Sequence, residues 1–248
     1  MNERKKKERI DKLLVDSGLI STRARAQAMI LAGHVLVDEV PVTKAGEKIP
    51  ITSSIRLREP ELKYVSRGAL KLKAAMEFFK LKALDKVCVD IGASTGGFTE
   101  ILLESGAKKI YAIDVGTNQL AWKIRSDPKV ISWENCNARY LEPKNFDELP
   151  HFLVMDVSFI SLRLILPSVS TILAPDSPCI VLFKPQFELG REWIGSGGIV
   201  TDQKASIKLL HETMEWGSTH GYYDPQYIQS PIHGTDGNQE YLIYWTRR

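Results

Sequence analysis

Apolar positions recur at helical spacing near the start of the chain and give way to unbroken apolar runs further on. Ile10, Leu13 and Leu14 share one helical face between Arg9 and Gly18, with Asp11, Lys12 and Asp16 off it, so a short amphipathic helix is predicted there. A second helix, capped by Ser21 or Thr22, runs to about Ala32 with Ala24, Ala28 and Leu31 as its apolar face, and Gly33 stops it. Val35-Leu36-Val37, a turn at Asp38-Glu39 and Val40-Pro41-Val42 read as a hairpin, and a further strand is expected from Ser54 to Leu57. Glu59-Pro60-Glu61 breaks the pattern and is read as a linker.

Beyond that break, Ser66 is placed to cap a helix carrying Arg67, Lys71 and Lys73 beside Leu70, Leu72, Ala75, Met76 and Phe79. Apolar strand-like runs follow at Val87 to Ile91, Ile110 to Asp114, Val130 to Trp133, Phe152 to Asp156 and Cys179 to Lys184. Helices are expected near Asn118 to Arg125, Leu162 to Leu173 and Gln203 to Thr219, and closing strands near Tyr227 and from Tyr241 to Trp245. Strands alternating with helical lengths predict an α/β fold with a mostly parallel sheet and helices on both faces. The expected organisation is a small α+β domain at 1–58, a linker at 59–63 and a large domain at 64–248.

Composition adds little to this picture and charge adds more. The 248 residues, 44% of them hydrophobic, suffice for one large and one small core. The net charge of +3 is unevenly spread: Arg4, Lys5, Lys6, Lys7 and Arg9 face only Glu3 and Glu8 at the start, which suits a polyanionic partner or a solubilising tail. Cys88, Cys136 and Cys179 form no Cys-x-x-Cys pair and no metal-ligand spacing, so neither disulfides nor a metal site are expected. His34, His151, His211, His220 and His233 are dispersed and receive no catalytic role. No apolar run approaches the ~20 residues of a membrane span, and no secretory signal is recognised, so the expected location is the cytoplasm.

The stretch from Val87 to Glu100 carries the first chemistry. An apolar strand stops at Asp90, turns through Gly92, Ser94, Gly96 and Gly97, and enters a helix at Phe98. Glycines there let a nucleoside cofactor lie against the backbone. A dinucleotide fingerprint has a glycine where Ser94 stands, which favours a cofactor without a pyrophosphate, S-adenosylmethionine being the candidate. Asp114, about 20 residues on at the end of the next strand, suits the ribose hydroxyls, although a nicotinamide enzyme would look similar there. Asn137, after the third strand, suits an adenine edge.

Four further residues decide the class, a purely structural ion pair being the alternative reading of any single lysine among them. Lys71 precedes the first strand of the large domain, Asp156 ends the fourth, Lys184 ends the fifth and Glu240 begins the last. In an open α/β sheet the strand ends converge on one crevice, so residues far apart in sequence meet. A lysine ending an apolar run is costly to bury and needs carboxylate partners or loss of its proton. Gly195-Ser196-Gly197-Gly198 is either a mobile lid or a rigid turn.

Two resemblances sharpen this reading. The first 58 residues resemble the S4 RNA-binding domain in Arg9-x-Asp11-x-Leu13-Leu14, Ser21-Thr22-Arg23-Ala24-Arg25-Ala26 and the Gly33-His34-Val35 hairpin. That resemblance implies RNA contacts at Arg9, Lys12, Arg23, Arg25 and Gln27, to which we add Arg67. The remainder resembles the rRNA 2′-O-methyltransferases of FtsJ/RrmJ type, with a Rossmann-like class I methyltransferase sheet and a Lys-Asp-Lys-Glu tetrad. The residues carrying the match are Ser66-Arg67-Gly68-Ala69, Asp90 to Thr99, Met155 to Ser161, Lys184-Pro185-Gln186-Phe187-Glu188 and Gly197-Gly198-Ile199-Val200. Together the two halves resemble the hemolysin A (TlyA) family. The resemblance implies S-adenosyl-L-methionine as cofactor, Lys71, Asp156, Lys184 and Glu240 as catalytic residues, and Asp90, Gly92, Ser94, Gly96, Gly97, Phe98, Asp114 and Asn137 as cofactor contacts. Ribosomal RNA or ribosomal subunits are the implied partner, without metal or membrane. The oligomeric state is left open, with a monomer favoured. The alternatives are a membrane-active hemolysin, an RNA-binding assembly protein without catalysis, or a small-molecule methyltransferase on the same fold.

Overall fold

The computed structural model describes residues 6–58 and 63–248 and divides the chain into two compact units, 1–63 and 64–248. The expected linker at Glu59-Pro60-Glu61 and the basic residues Arg4 and Lys5 lie outside the described residues.

In the first unit, β1 (Lys7–Arg9) leads into α1 (Ile10–Asp16), followed by α2 (Arg23–Leu31), β2 (Val35–Val37), β3 (Val40–Pro41), β4 (Lys48–Pro50) and β5 (Ile55–Leu57). Strands β3, β2 and β5 form one small antiparallel sheet, and β1 pairs with β4 in another. The β2–β3 turn has positive φ at both Asp38 and Glu39, as a two-residue hairpin loop requires. The core joins Ile10, Leu14, Ile20, Ala26, Ile30, Val35, Val37 and Ile49.

Two expectations are corrected here. Helix α2 buries Ala26 and Ile30, while Leu31 is 70% exposed and Ala24 and Ala28 are also on the solvent side. Asp11, expected off the packed face, is completely buried, because three polar side chains close over it. The paired strands β1 and β4 are elements the apolar pattern did not announce.

The second unit opens with α3 (Gly68–Phe78) and continues through β6 (Val87–Ile91), α4 (Gly97–Glu104), β7 (Lys109–Ile113), α5 (Trp122–Arg125), β8 (Val130–Trp133), β9 (Phe152–Met155), α6 (Leu166–Ile172), β10 (Ser177–Phe183), α7 (Pro185–Glu188), α8 (Gln203–Ser218), β11 (Tyr222–Gln229) and β12 (Tyr241–Arg247). The seven strands run in the order β8-β7-β6-β9-β10-β12-β11. Strands β8 to β10 are parallel, and β12 runs antiparallel to both of its neighbours. This is the mostly parallel sheet expected, with its central strands β6, β9 and β10 buried on both faces as near-continuous apolar runs.

Local departures have local causes. The N-cap of α3 is Arg67 rather than Ser66, whose carbonyl oxygen instead accepts from Ala69 N at 3.3 Å. The helix expected from Asn118 is a single turn, since Asn118 takes a positive φ. The segment expected to be helical from Leu162 begins as a 3₁₀ turn, and α6 starts only at Leu166, with Pro167 in its first turn.

Candidate active site

Strand register brings the site together. Ile91 of β6 pairs with Ile113 of β7 and Met155 of β9, and Phe183 of β10 pairs with Tyr241 of β12. The next residue along therefore emerges at one edge in each case: Gly92, Asp114, Asp156 and Lys184, with Glu240 preceding Tyr241 on the antiparallel strand. The sheet reverses its winding between β6 and β9, the position at which open α/β sheets form their crevice. A cavity of about 570 Å³ opens there, lined among others by Gly92, Ser94, Phe98, Lys71, Asp156, Lys184 and Glu240.

Two ion pairs occupy its wall. Lys71 Nζ lies 2.5 Å from Glu240 Oε2, with side chains only 10% and 3% exposed. Lys184 Nζ lies 2.6 Å from Asp156 Oδ1 and donates to Ser158 Oγ at 2.9 Å. Each lysine thus has the carboxylate partner that its buried position demands. Lysines and acids alternate around one crevice, giving it two positive and two negative groups.

The glycine stretch is built by close packing. A Cβ on Gly92, which has φ +79°, would meet the carbonyl carbon of Asp156 at 2.8 Å, so only glycine lets β6 and β9 end side by side. A Cβ on Gly97 would collide with Ser66 Oγ and approach Ala69 N at 3.0 Å, which is how α3 and α4 come together beside the cavity. Gly96 caps α4 with φ +96° and faces Leu120 and Ile124 of the neighbouring segment rather than the cavity.

The expected cofactor residues fall into three positions. Gly92, Ser94, Gly97 and Phe98 line the cavity. Asp90 lies beneath it, fully buried, accepting a 2.6 Å bond from Thr99 Oγ1 while its Oδ1 has no hydrogen-bond partner among the described residues. Burial pushes its carboxyl up to about 7. Asp114 accepts from Ser94 N at 2.8 Å and Gly116 N at 2.7 Å and borders a void of about 10 Å³ that shares Ala93 and Ser94 with the main cavity. Asn137 is not brought there: its Oδ1 accepts from Arg139 N at 3.1 Å, and it lines a separate cavity with Trp133, Cys136 and Tyr140.

The remaining expected contacts are also placed. Arg67 lines the main cavity and is exposed. In the N-terminal unit, Arg9, Arg23 and Gln27 all bond to Asp11, and Lys12 pairs with Glu8 at 3.0 Å. The backbone of Arg25 donates to Thr22 Oγ1, the cap of α2.

The structure adds residues to which the sequence assigned no role in the site. Phe159 is 89% exposed at the cavity mouth with φ +63°, and its ring lies 4.8 Å from that of Phe187. Buried Gln186 lines the cavity with Oε1 lacking a partner among the described residues. The β11–β12 loop supplies Ile232, His233, Thr235 and Asp236. Positive φ at a bulky aromatic has no sequence signal, and a polar loop between two strands has no periodicity to read. The Gly195–Gly198 turn is held by Asn238, whose Oδ1 accepts from Val200 N at 2.8 Å and whose Nδ2 donates to Gly198 O at 2.9 Å.

The class of the large unit is that of a methyltransferase: residues 64–247 match the family of FtsJ-like methyltransferases, and residues 8–52 match the S4 domain. The YqxC protein of Bacillus subtilis (strain 168) is 48% identical over 240 residues, covering 96% of this chain and 85% of the relative. Hemolysin A of Brachyspira hyodysenteriae is 42% identical, covering 96% and 99%. The 16S/23S rRNA (cytidine-2′-O)-methyltransferase TlyA of Mycobacterium tuberculosis (strain ATCC 25618 / H37Rv) is 38% identical, covering 98% and 90%. The chain belongs to the TlyA, or hemolysin A, family of rRNA methyltransferases. A solved structure from Streptococcus thermophilus is 44% identical with a TM-score of 0.76, covering 98% of this chain and 89% of that one. Among the described residues no helix is long and apolar enough to cross a membrane, and no group of three or more His, Cys, Asp or Glu is placed to hold a metal.

Proposed function

We propose that this chain transfers a methyl group from S-adenosylmethionine to a cytidine ribose 2′-hydroxyl in ribosomal RNA, with Lys71, Asp156, Lys184 and Glu240 as its catalytic residues. The observation that carries this reading is the pair of lysine–carboxylate contacts facing one cavity beside the glycine cradle. The cytidine and its 2′-oxygen come from the name of the tuberculosis relative.

The residues present fit the cofactor. The small residues Gly92, Ala93, Ser94 and Gly97 leave room along the cavity wall, Asp114 retains free lone pairs for ribose hydroxyls, and Gln186 Oε1 is a buried acceptor in want of a donor. Bound there, S-adenosylmethionine supplies a methyl group already activated on a positively charged sulfur. The protein's own task is to position the hydroxyl and manage its proton. Lys184 Nζ, fixed by Asp156 and Ser158, has one remaining direction, towards the cavity, in which it orients the attacking oxygen and takes part in removing its proton. Lys71, held by Glu240, supplies a second positive charge beside the same oxygen. Phe159 and Phe187 offer a stacking surface for the base whose ribose is presented, as single-stranded or extruded nucleotides require. Arg67 meets the backbone at the cavity lip, and Arg9, Lys12, Arg23, Arg25 and Gln27 meet structured RNA through the N-terminal unit. The ribosomal substrate puts this work in the cytoplasm.

The test is transfer of labelled methyl to unmodified ribosomal subunits, with the modified nucleotide mapped by mass spectrometry. We expect the methyl on a cytidine ribose, in one or both subunits. Equal transfer to RNA carrying a 2′-deoxy nucleotide at the mapped position would overturn the 2′-O assignment.

A further inference from the structure

Asp11 sits where an acid in an RNA-binding face is least expected. It is 0% exposed, yet three side chains donate four hydrogen bonds to its carboxylate. Arg9 binds it side-on, Nε to Oδ1 at 3.0 Å and Nη2 to Oδ2 at 2.8 Å. Arg23 Nη2 and Gln27 Nε2 each donate to Oδ2 at 3.0 Å. The Arg9 guanidinium first, then burial against it and the Gln27 and Arg23 bonds, leave the carboxyl held well below the usual carboxylate range, so it is an anion at every pH at which the protein works. Two full positive charges converge on this one negative charge, leaving an excess of one. The arginine side chains remain 42% and 56% exposed, so each presents its other N–H groups to solvent.

An arginine on a solvated helix face loses considerable rotamer freedom on meeting a phosphate. A guanidinium already clamped on a buried carboxylate has lost that freedom beforehand. We propose that Asp11 is a positioning residue that sets Arg9 and Arg23 as a paired guanidinium fork for a phosphodiester of the RNA backbone. The inference rests on the reading of this unit as the RNA-contacting part of the enzyme. Gln27 belongs to the same device: its amide donates to the same carboxylate oxygen as the two arginines and helps to hold it.

Simple Coulomb attraction predicts the opposite sign from positioning, and this makes the inference sharp. Removing a negative charge beside two arginines should tighten binding to a polyanion and steepen its salt dependence. Positioning requires that Asp11→Asn weaken it. The experiment measures binding of the full chain to unmodified ribosomal subunits across a range of salt, with the melting temperature of each variant recorded alongside. We expect Asp11→Asn to lower affinity about tenfold and to make the slope of log affinity against log salt shallower by about one. In an Arg9→Ala/Arg23→Ala background the same substitution should change affinity by less than about twofold, since its route of action is gone. Asp11→Asn binding as tightly as the parent, or more tightly, in folded protein overturns the inference. Subunit binding unaffected by the double arginine variant overturns the RNA-contact reading itself and this inference with it. If Asp11→Asn does not stay folded at the assay temperature, Arg9→Lys and Arg23→Lys serve instead. Each keeps its charge but lacks a planar fork able to span carboxylate and phosphate together. Affinity must then fall, and parental affinity in folded protein overturns the proposal.

Discussion

Lys71 and Glu240 lie 169 positions apart in the chain and meet at 2.5 Å, almost wholly shielded from water. Glycine packing between α3 and α4 sets where Lys71 stands, and the antiparallel pairing of β12 with β10 sets where Glu240 stands. Removing one partner strands the other as a buried unpaired charge. Lys71→Met alone or Glu240→Leu alone should therefore destabilise the protein by about 3–5 kcal/mol. The double variant should recover most of that loss while remaining without methyl transfer. Chemical denaturation and a labelled-methyl assay on the same samples separate the structural from the catalytic contribution.

Lys184→Ala should abolish transfer while leaving S-adenosylmethionine binding within about threefold of the parent, since its proposed partner is the attacking hydroxyl and not the cofactor. Lys184→Arg should fail as well, because a guanidinium cannot give up its proton at working pH. Calorimetric titration with the cofactor and single-turnover transfer check the two halves of this statement.

Gly92→Ala introduces a methyl against the Asp156 carbonyl at a backbone position with φ +79°. The ends of β6 and β9 must then part, moving Asp156 and with it Lys184. We expect a fall in melting temperature and at least a hundredfold loss of transfer, given the sensitivity of such geometry to displacements of about 1 Å.

Asp90 gives a pH prediction. Its carboxyl is raised from 3.8 to about 7 by burial, so the folded protein holds this proton more tightly than the unfolded chain. Stability from this group is full below about pH 4 and is lost as pH rises towards 7. Asp90→Asn, which keeps an acceptor for Thr99, should remove that loss. The difference in melting temperature between variant and parent should grow in favour of the variant from pH 4 to pH 7 and then level off. A difference that does not vary with pH would sink the prediction.

Phe159→Ala should raise the KM for ribosomal subunits about 5- to 150-fold, through loss of roughly 1–3 kcal/mol of base stacking. Phe159→Tyr, which preserves the ring, should restore it. Steady-state kinetics with subunits as the varied substrate provide the measurement.

Central strands were legible because a strand buried on both faces is an uninterrupted apolar run, and an acid or lysine at its end stands out. Asp156 and Lys184 stood out for that reason, whereas Lys71, inside helix α3, and Glu240, just ahead of β12, were singled out through the family resemblance, and the structure brings all four to one cavity. The buried face of α2 was not, since alanine at 24, 26 and 28 gives almost no hydrophobic contrast between one side and the other. Nor was Asp11, whose burial depends on side chains from another helix folding over it. Charged three-residue strands such as β1 carry no alternation long enough to detect. Asn137 matched in position after its strand, but its side chain turns back to cap its own chain, a choice that spacing does not encode.

Strand β12 follows both of its neighbours in the chain, yet it lies between them. Until it arrives, β10 and β11 are not joined and Lys71 has no counter-charge. Completion of the sheet and completion of the active site are thus the same event in folding. On refolding from denaturant, recovery of methyl transfer should keep time with the final tertiary signal rather than with the earlier return of helix, so enzymatic activity itself becomes a clock for insertion of this strand.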